Sequence, residues 1–148
     1  MLLYRRTADN TLEVLLVHPG GPFWKNKDLG SWSIPKGEFL PGQDPLKTAK
    51  REFREELGKP VSGDFERLEP VRQAGGKIVY AYALEGDFDA SNIQSNTFDM
   101  EWPPKSGRMQ AFPEVDRAEW FDLKTARTKL NAAQNGFLDQ LEGKLTIS

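Results

Sequence analysis

Residues 44–60 write both ends of a helix into the sequence. Asp44 offers a side-chain oxygen to the first unpaired backbone amides, and Pro45 suits the first helical position, where its missing N–H would go unpaired anyway. Gly58 and Pro60 supply the stop. Between these signals Leu46, Ala49, Phe53 and Leu57 recur at spacings of three and four, so one face of the helix is apolar and must be buried against other elements. Apolar, β-branched-rich runs at 2–5 and 12–17, separated by Thr7-Ala8-Asp9-Asn10, predict a hairpin turning at Asp9-Asn10. Strands are expected at 65–71, 77–84 and 118–121. Residues 18–33 and 85–108 read as a long loop and a polar, turn-rich stretch, and 123–141 as one or two helices broken near Asn135-Gly136. Strands and helices in this irregular order predict an α+β sandwich rather than a regular βαβ alternation.

Composition narrows the chemistry. The 148 residues fit one domain, 1–148, with no room for a second catalytic unit. With 38% hydrophobic and 28% charged residues, the chain is composed like an ordinary globule. No apolar run approaches the roughly 20 residues of a membrane span, and the start shows no secretory pattern, so a cytoplasmic location is expected. A net charge of −2 argues against general nucleic-acid binding, which needs a basic stripe, but leaves room for a small anionic ligand. The absence of cysteine excludes thiolate metal sites and a cysteine nucleophile, and the single histidine, His18, cannot make a His-rich zinc site. A metal here must be held mainly by oxygen.

Such oxygen is available on the helix. At about 100° per residue, Glu52, Glu55 and Glu56 cluster on one side, roughly 110° from the apolar stripe, and therefore border a groove at the edge of the core. Two unit charges roughly 4 Å apart repel by about 4 kcal/mol at an effective dielectric of about 20, so three convergent carboxylates are poorly explained by stability. A cation reverses that cost. Mg²⁺ takes oxygen ligands, keeps several waters and is commonly shared with substrate phosphates. The competing reading is a solvated charged face in which Arg51 pairs with Glu55 at i,i+4.

The order Gly37, Gln43, Arg51-Glu52-Phe53-Arg54-Glu55-Glu56-Leu57-Gly58 resembles the Nudix box, Gly-x5-Glu-x7-Arg-Glu-apolar-x-Glu-Glu-x-Gly-apolar. The resemblance implies a Nudix-type α/β/α sandwich with a mixed β-sheet, dependence on Mg²⁺ or Mn²⁺, and hydrolysis of nucleoside diphosphates linked to another group. Carried over by position, it makes Glu52, Glu55 and Glu56 the metal ligands, Gly37 the source of a ligating carbonyl, and Arg51 the residue that orients the glutamates. Two positions depart from the pattern. Gln43 stands where Glu is usual, which bears on the number of metals held, and Lys59 stands where an apolar residue is usual; Glu38 is near enough in sequence to compensate for the first.

Pro35-Lys36-Gly37 is similar to the Nudix subgroup acting on dinucleoside polyphosphates and diphosphoinositol polyphosphates, with Lys36 reaching a substrate phosphate as a point charge. Tyr80 and Tyr82 are candidates for the tyrosine of the dinucleoside polyphosphate branch. The family often draws a base or a further metal ligand from a loop beyond the box, which singles out Glu101 and Asp99. Lys105 and Arg108 are candidates for holding phosphates, and Trp102, Phe98 or Trp32 for stacking on a base. Nothing around His18 marks it as a base. The expected activity is metal-dependent pyrophosphohydrolysis of a small nucleotide-like substrate, with monomer and homodimer both open. Gln43 keeps a catalytically silent nucleotide-binding sensor as the alternative, against which the three repelling glutamates argue. The isomerisation of isopentenyl diphosphate known on this fold is disfavoured by the missing cysteine.

Overall fold

Two apolar runs at the start of the chain set the centre of the fold. In the computed structural model, which describes residues 1–36 and 42–146, they form β1 (Leu2–Arg6) and β2 (Leu12–Pro19), antiparallel with Tyr4 opposite Val14 and Arg6 opposite Leu12. Asn10 turns the hairpin with φ 66°, a conformation asparagine tolerates better than most residues. Side chains alternate across the sheet, so Leu2, Val14 and Leu16 enter one core while Leu3, Leu15 and Val17 enter the other. A run apolar at every position is what a strand covered on both faces requires.

Both faces are covered. Helix α1 (Pro45–Leu57) lays Phe53 and Leu57 on the second core, each fully buried, and Leu46 and Ala49 pack at its margin. Burial of a phenylalanine or leucine of this kind stabilises by about 1.5–3 kcal/mol relative to exposure. Asp44 accepts from the Leu46 amide at 2.9 Å, and Gly58, at φ 86°, returns its amide to the Arg54 carbonyl at 2.7 Å. On the opposite face α2 (Leu123–Lys129) and α3 (Asn135–Thr146) contribute Ala126, Phe137, Leu138 and Leu141 to the first core. With β3 (Glu66–Arg67), β6 (Tyr82–Glu85) and β9 (Val115–Asp122), the five-stranded sheet runs β3-β6-β1-β2-β9. The β1–β6 pair is parallel and the others are antiparallel, which makes the sheet mixed, as expected. No helix among the described residues is long and apolar enough to cross a membrane.

The structure departs from the sequence expectations at element boundaries. The strand expected at 65–71 is split into β3 and β4 (Val71–Arg72) around Pro70, which has no amide for a ladder. The strand expected at 77–84 is split into β5 (Ile78–Val79), which pairs with β4, and β6. Helix 123–141 breaks at Leu130 and Asn131 rather than near Asn135-Gly136, because the Asn131 side chain caps a 3₁₀ turn (Ala132–Gln134) that leads directly into α3. The polar stretch 85–108 hides β7 (Thr97–Glu101), which pairs with β8 (Met109–Pro113) in a ribbon of its own. His18 and Pro19 extend β2 instead of opening the loop, and Val17 bridges to Ser33 at the loop's other end.

The loop at 20–31 closes against the β7–β8 ribbon through two glycines. A Cβ on Gly20 would stand 2.0 Å from the Pro113 carbonyl oxygen, and one on Gly21 would stand 3.1 Å from Cζ of Phe98. Gly20→Ala should therefore destabilise the protein by about 1–3 kcal/mol, the usual cost of overpacking. Gly143→Ala, on an exposed turn of α3 where an added Cβ would meet no neighbouring element within 4 Å, should stabilise it by about 0.5–1 kcal/mol. Chemical denaturation of the two variants checks both signs.

Candidate active site

Helical geometry ranks the three glutamates by burial. Measured from Phe53, which points into the core, Glu56 lies about 60° around the helix, Glu52 about 100° and Glu55 about 160°. Exposure follows that order: the Glu52 side chain retains 16% and the Glu55 side chain 36%. Burial, with a smaller push from Glu52, raises the Glu56 carboxyl to about 8 against the partial relief of nearby positive charge. Its Oε2 accepts from the Lys36 amide at 3.2 Å, which docks the Pro35-Lys36 segment onto the helix. Burial and then the charge of Glu55 also raise Glu52. Arg51 straddles the outer pair, 3.3 Å from Glu52 and 3.9 Å from Glu55.

A fourth carboxylate arrives from the far side. The last turn of α1 leaves carbonyls without intrahelical partners, and the segment leading into β7 supplies donors: Gln94 to Leu57 at 3.1 Å and Asn96 to Glu55 at 2.7 Å. Asn96 in turn accepts from the Glu114 amide at 2.8 Å, and the Glu114 carbonyl accepts from Gly20 at 3.0 Å. This ladder brings Glu114, at the β8–β9 junction, to the helix glutamates. Its carboxyl is raised by burial first and then by the charges of Glu52 and Glu55. Sequence reasoning missed Glu114 because Pro113-Glu114-Val115 carries no local mark; only the pairing of β7 with β8 makes it a neighbour of the box.

Other residues singled out from the sequence fall elsewhere. Glu101 stands at the far end of β7, about 13 Å of strand beyond Thr97 at the root of the ribbon. With Asp99 it shares the ribbon face opposite to Phe98, Met100 and Trp102, so the structure does not bring Glu101 to the glutamates. Lys105 and Arg108 lie exposed in the turn at the ribbon's tip, where Trp102 donates its amide to the Arg108 carbonyl at 2.9 Å. Trp32 is buried in the core, its indole donating to Asp28 at 2.8 Å and its ring edge-on to Phe121, which removes it as a stacking platform. Tyr82 is also core, and Tyr80 lies beneath the Arg67 guanidinium. His18 is fully buried, with Nδ1 2.8 Å from Asp116 and Nε2 2.6 Å from the Lys27 carbonyl, so it anchors the loop and presents no nitrogen to a substrate. Gln43 lines a shallow depression with Thr48 and Arg51 at the start of α1. Gly37 and Glu38 lie outside the described residues.

The donor set suits a hard divalent cation. Among the described residues no three acidic or imidazole groups form a ready-made ion cage, yet carboxylates that are desolvated and mutually repelling gain from a positive charge between them.

Comparison with known proteins agrees with this arrangement. The sequence profile of the NUDIX domain matches residues 2–141, and the chain belongs to the Nudix family as a hydrolase acting on phosphorus-containing acid anhydrides. Among solved structures, a Caenorhabditis elegans Ap4A hydrolase binary complex superposes with a TM-score of 0.66 at 20% identity, covering 99% of this chain and 96% of that one. The NUDIX domain of Shewanella oneidensis NrtR complexed with ADP ribose gives 0.63 at 21%, covering 97% and 84%. A MutT protein from Methanosarcina mazei gives 0.58 at 17%, covering 97% and 91%. At these identities the likeness is one of fold. A sequence search of curated proteins returned no match.

A carboxyl raised to about 8 is largely protonated at pH 7 when no metal is bound. Glu56→Gln should then leave the unfolding free energy of the metal-free protein within about 0.5 kcal/mol. Glu56→Ala should cost about 1–3 kcal/mol because it leaves the partly buried Lys36 amide without its acceptor. Thermal melts in chelator at pH 7 separate the two.

Proposed function

We propose that this chain is a Mg²⁺- or Mn²⁺-dependent pyrophosphohydrolase that cleaves a phosphoanhydride bond in a nucleoside diphosphate linked to a second group, dinucleoside polyphosphates among them. The observation that carries the reading is the run of backbone hydrogen bonds from Glu55 to Asn96 to Glu114, which sets Glu114 near enough to Glu52 and Glu55 for their charges to act on its carboxyl, with Glu56 on the next face of the same helix.

Glu52, Glu55 and Glu56 would hold the cation, with the Gly37 carbonyl as a further donor. A divalent ion in such a site lowers the pKa of water and neutralises charge building on the pyrophosphate. Arg51 keeps the Glu52 and Glu55 carboxylates turned toward the groove. Lys36, whose backbone is fixed against Glu56, offers its ammonium to a substrate phosphate. Glu114 accepts the proton of the attacking water, a role its desolvated carboxyl suits better than an ordinary carboxylate would. Glu101, the earlier candidate for this role, is the comparison. The NrtR domain, bound to ADP ribose, represents the sensor alternative; binding without turnover in the assay below would favour it.

The test is a panel of nucleoside triphosphates, dinucleoside polyphosphates, ADP-ribose, sugar nucleotides and capped or triphosphorylated RNA, with released products measured with and without Mg²⁺. Turnover should require the metal. Glu55→Gln and Glu56→Gln should lower it by orders of magnitude. Glu114→Gln should lower kcat by about 10²- to 10⁴-fold, while Glu101→Gln should stay within about twofold of the parent. The opposite ranking would return the base to Glu101, and full turnover in Glu55→Gln and Glu56→Gln at saturating Mg²⁺ would remove the metal site.

A pH dependence follows from Glu56. Its carboxyl, raised to about 8, must give up a proton before it holds a cation, so proton and Mg²⁺ compete below that pH. Apparent Mg²⁺ affinity should strengthen between pH 6 and 8 by up to about tenfold per unit and level off above. Mg²⁺ titrations of the protein across that range read the slope, and a flat profile contradicts it.

A further inference from the structure

Beside the carboxylates, the loop at 20–31 and the β7–β8 ribbon enclose a cleft of about 610 Å³, within the range of small-molecule sites. Its ribbon wall is aromatic and amide: Trp102 and Phe112 line it, and Gln110 between them donates its amide nitrogen to the Trp102 carbonyl at 3.0 Å. Phe23 meets the Trp102 ring edge-on at 5.6 Å and 83°. The loop wall contributes Lys25 and Asn26, and Asp116 closes one side while tied through His18 to the loop. Pro113 lines the cleft and the next residue is Glu114, so cleft and carboxylates meet across a single peptide unit.

We propose that this cleft receives the nucleobase of the substrate, with the polyphosphate running past Pro113 to the glutamates; the proposal rests on the hydrolase reading and specifies its substrate. An indole and a phenylalanine ring in one wall offer a planar ring a stacking surface, and Asn26, Gln110 and Asp116 offer its edge both donors and acceptors. The charge of the lining decides between the two substrate branches that the Pro35-Lys36-Gly37 segment suggested. Lys25 and Asp116 nearly cancel, which suits an uncharged base. A polyphosphorylated inositol would need a cluster of cations that this lining does not have.

Equilibrium binding without metal tests the assignment independently of turnover. AMP, GMP, CMP and UMP are each titrated against ribose 5-phosphate by calorimetry, in the parent protein and in Trp102→Ala, Phe112→Ala and Trp102→Phe, all checked for folding by melting. At least one nucleotide should bind about fivefold or more tightly than ribose 5-phosphate, the lower end of what one base–aromatic stack contributes. Trp102→Ala and Phe112→Ala should remove most of that preference, and Trp102→Phe should keep much of it. Equal binding of ribose 5-phosphate, a preference that survives in both alanine variants, no nucleotide binding at millimolar concentration, or tighter binding of inositol hexakisphosphate would each overturn the proposal. A base preference with no hydrolysis in the substrate panel would sink the hydrolase reading and leave the cleft standing; hydrolysis without a base preference would do the reverse.

Discussion

The carbonyls at the end of α1 need donors, and the way they find them organises the molecule. A helix terminus buried without partners is costly. Here the chain between the sheet and the ribbon returns to supply two amides, from Gln94 and Asn96, and Asn96 passes the pairing on through Glu114 to Gly20. One run of backbone hydrogen bonds thus fixes the box helix, the root of the ribbon and the start of the 20–31 loop relative to one another. The loop and the ribbon are also joined through the main sheet, where Pro19 pairs with Val115, but the box helix shares no strand with either. Gly58 is confined for the same reason, since a Cβ there would stand 2.7 Å from Cβ of Gln94.

Electrostatics then works against packing. The helix that buries Phe53 and Leu57 carries Glu56 only about 60° from Phe53, and burial raises that carboxyl to about 8. An apolar residue in its place would pack without penalty. The arrangement makes sense as a site held ready for positive charge, in which the apolar stripe aims the helix and the desolvated edge would receive the cation proposed above. Arg51 offsets part of the repulsion at the outer, more exposed pair and leaves Glu56 to the Lys36 amide.

What could be read in the sequence was what is local. The caps, the stripe and the glutamate face of α1 are encoded within one stretch of chain, and the hairpin of β1 and β2 announces itself by two apolar runs and Asn10. The ribbon was legible in principle, because Thr97-Phe98-Asp99-Met100-Glu101-Trp102 alternates polar and apolar strictly, but the prolines and glycine that follow outweighed the alternation. Glu114 was not legible at all. Its position beside α1 depends on the register that sets Thr97 opposite Pro113, a long-range fact with no trace in the residues beside it. The strand at 77–84 failed differently: its apolar pattern is continuous, yet its two halves join different sheets.

The ribbon pairs only with itself, and the main sheet closes without it. Length and side chains beyond its root can therefore vary with little strain on either core, provided the junction at Asn96 and Glu114 is kept. If the cleft takes the base and Glu114 the proton, as proposed above, selectivity and catalysis are in that sense inherited separately. A lineage, or an engineer, could then exchange the outer strands as a cassette and alter the walls of the cleft, while Glu114 at the hinge of the cassette stays in register with α1.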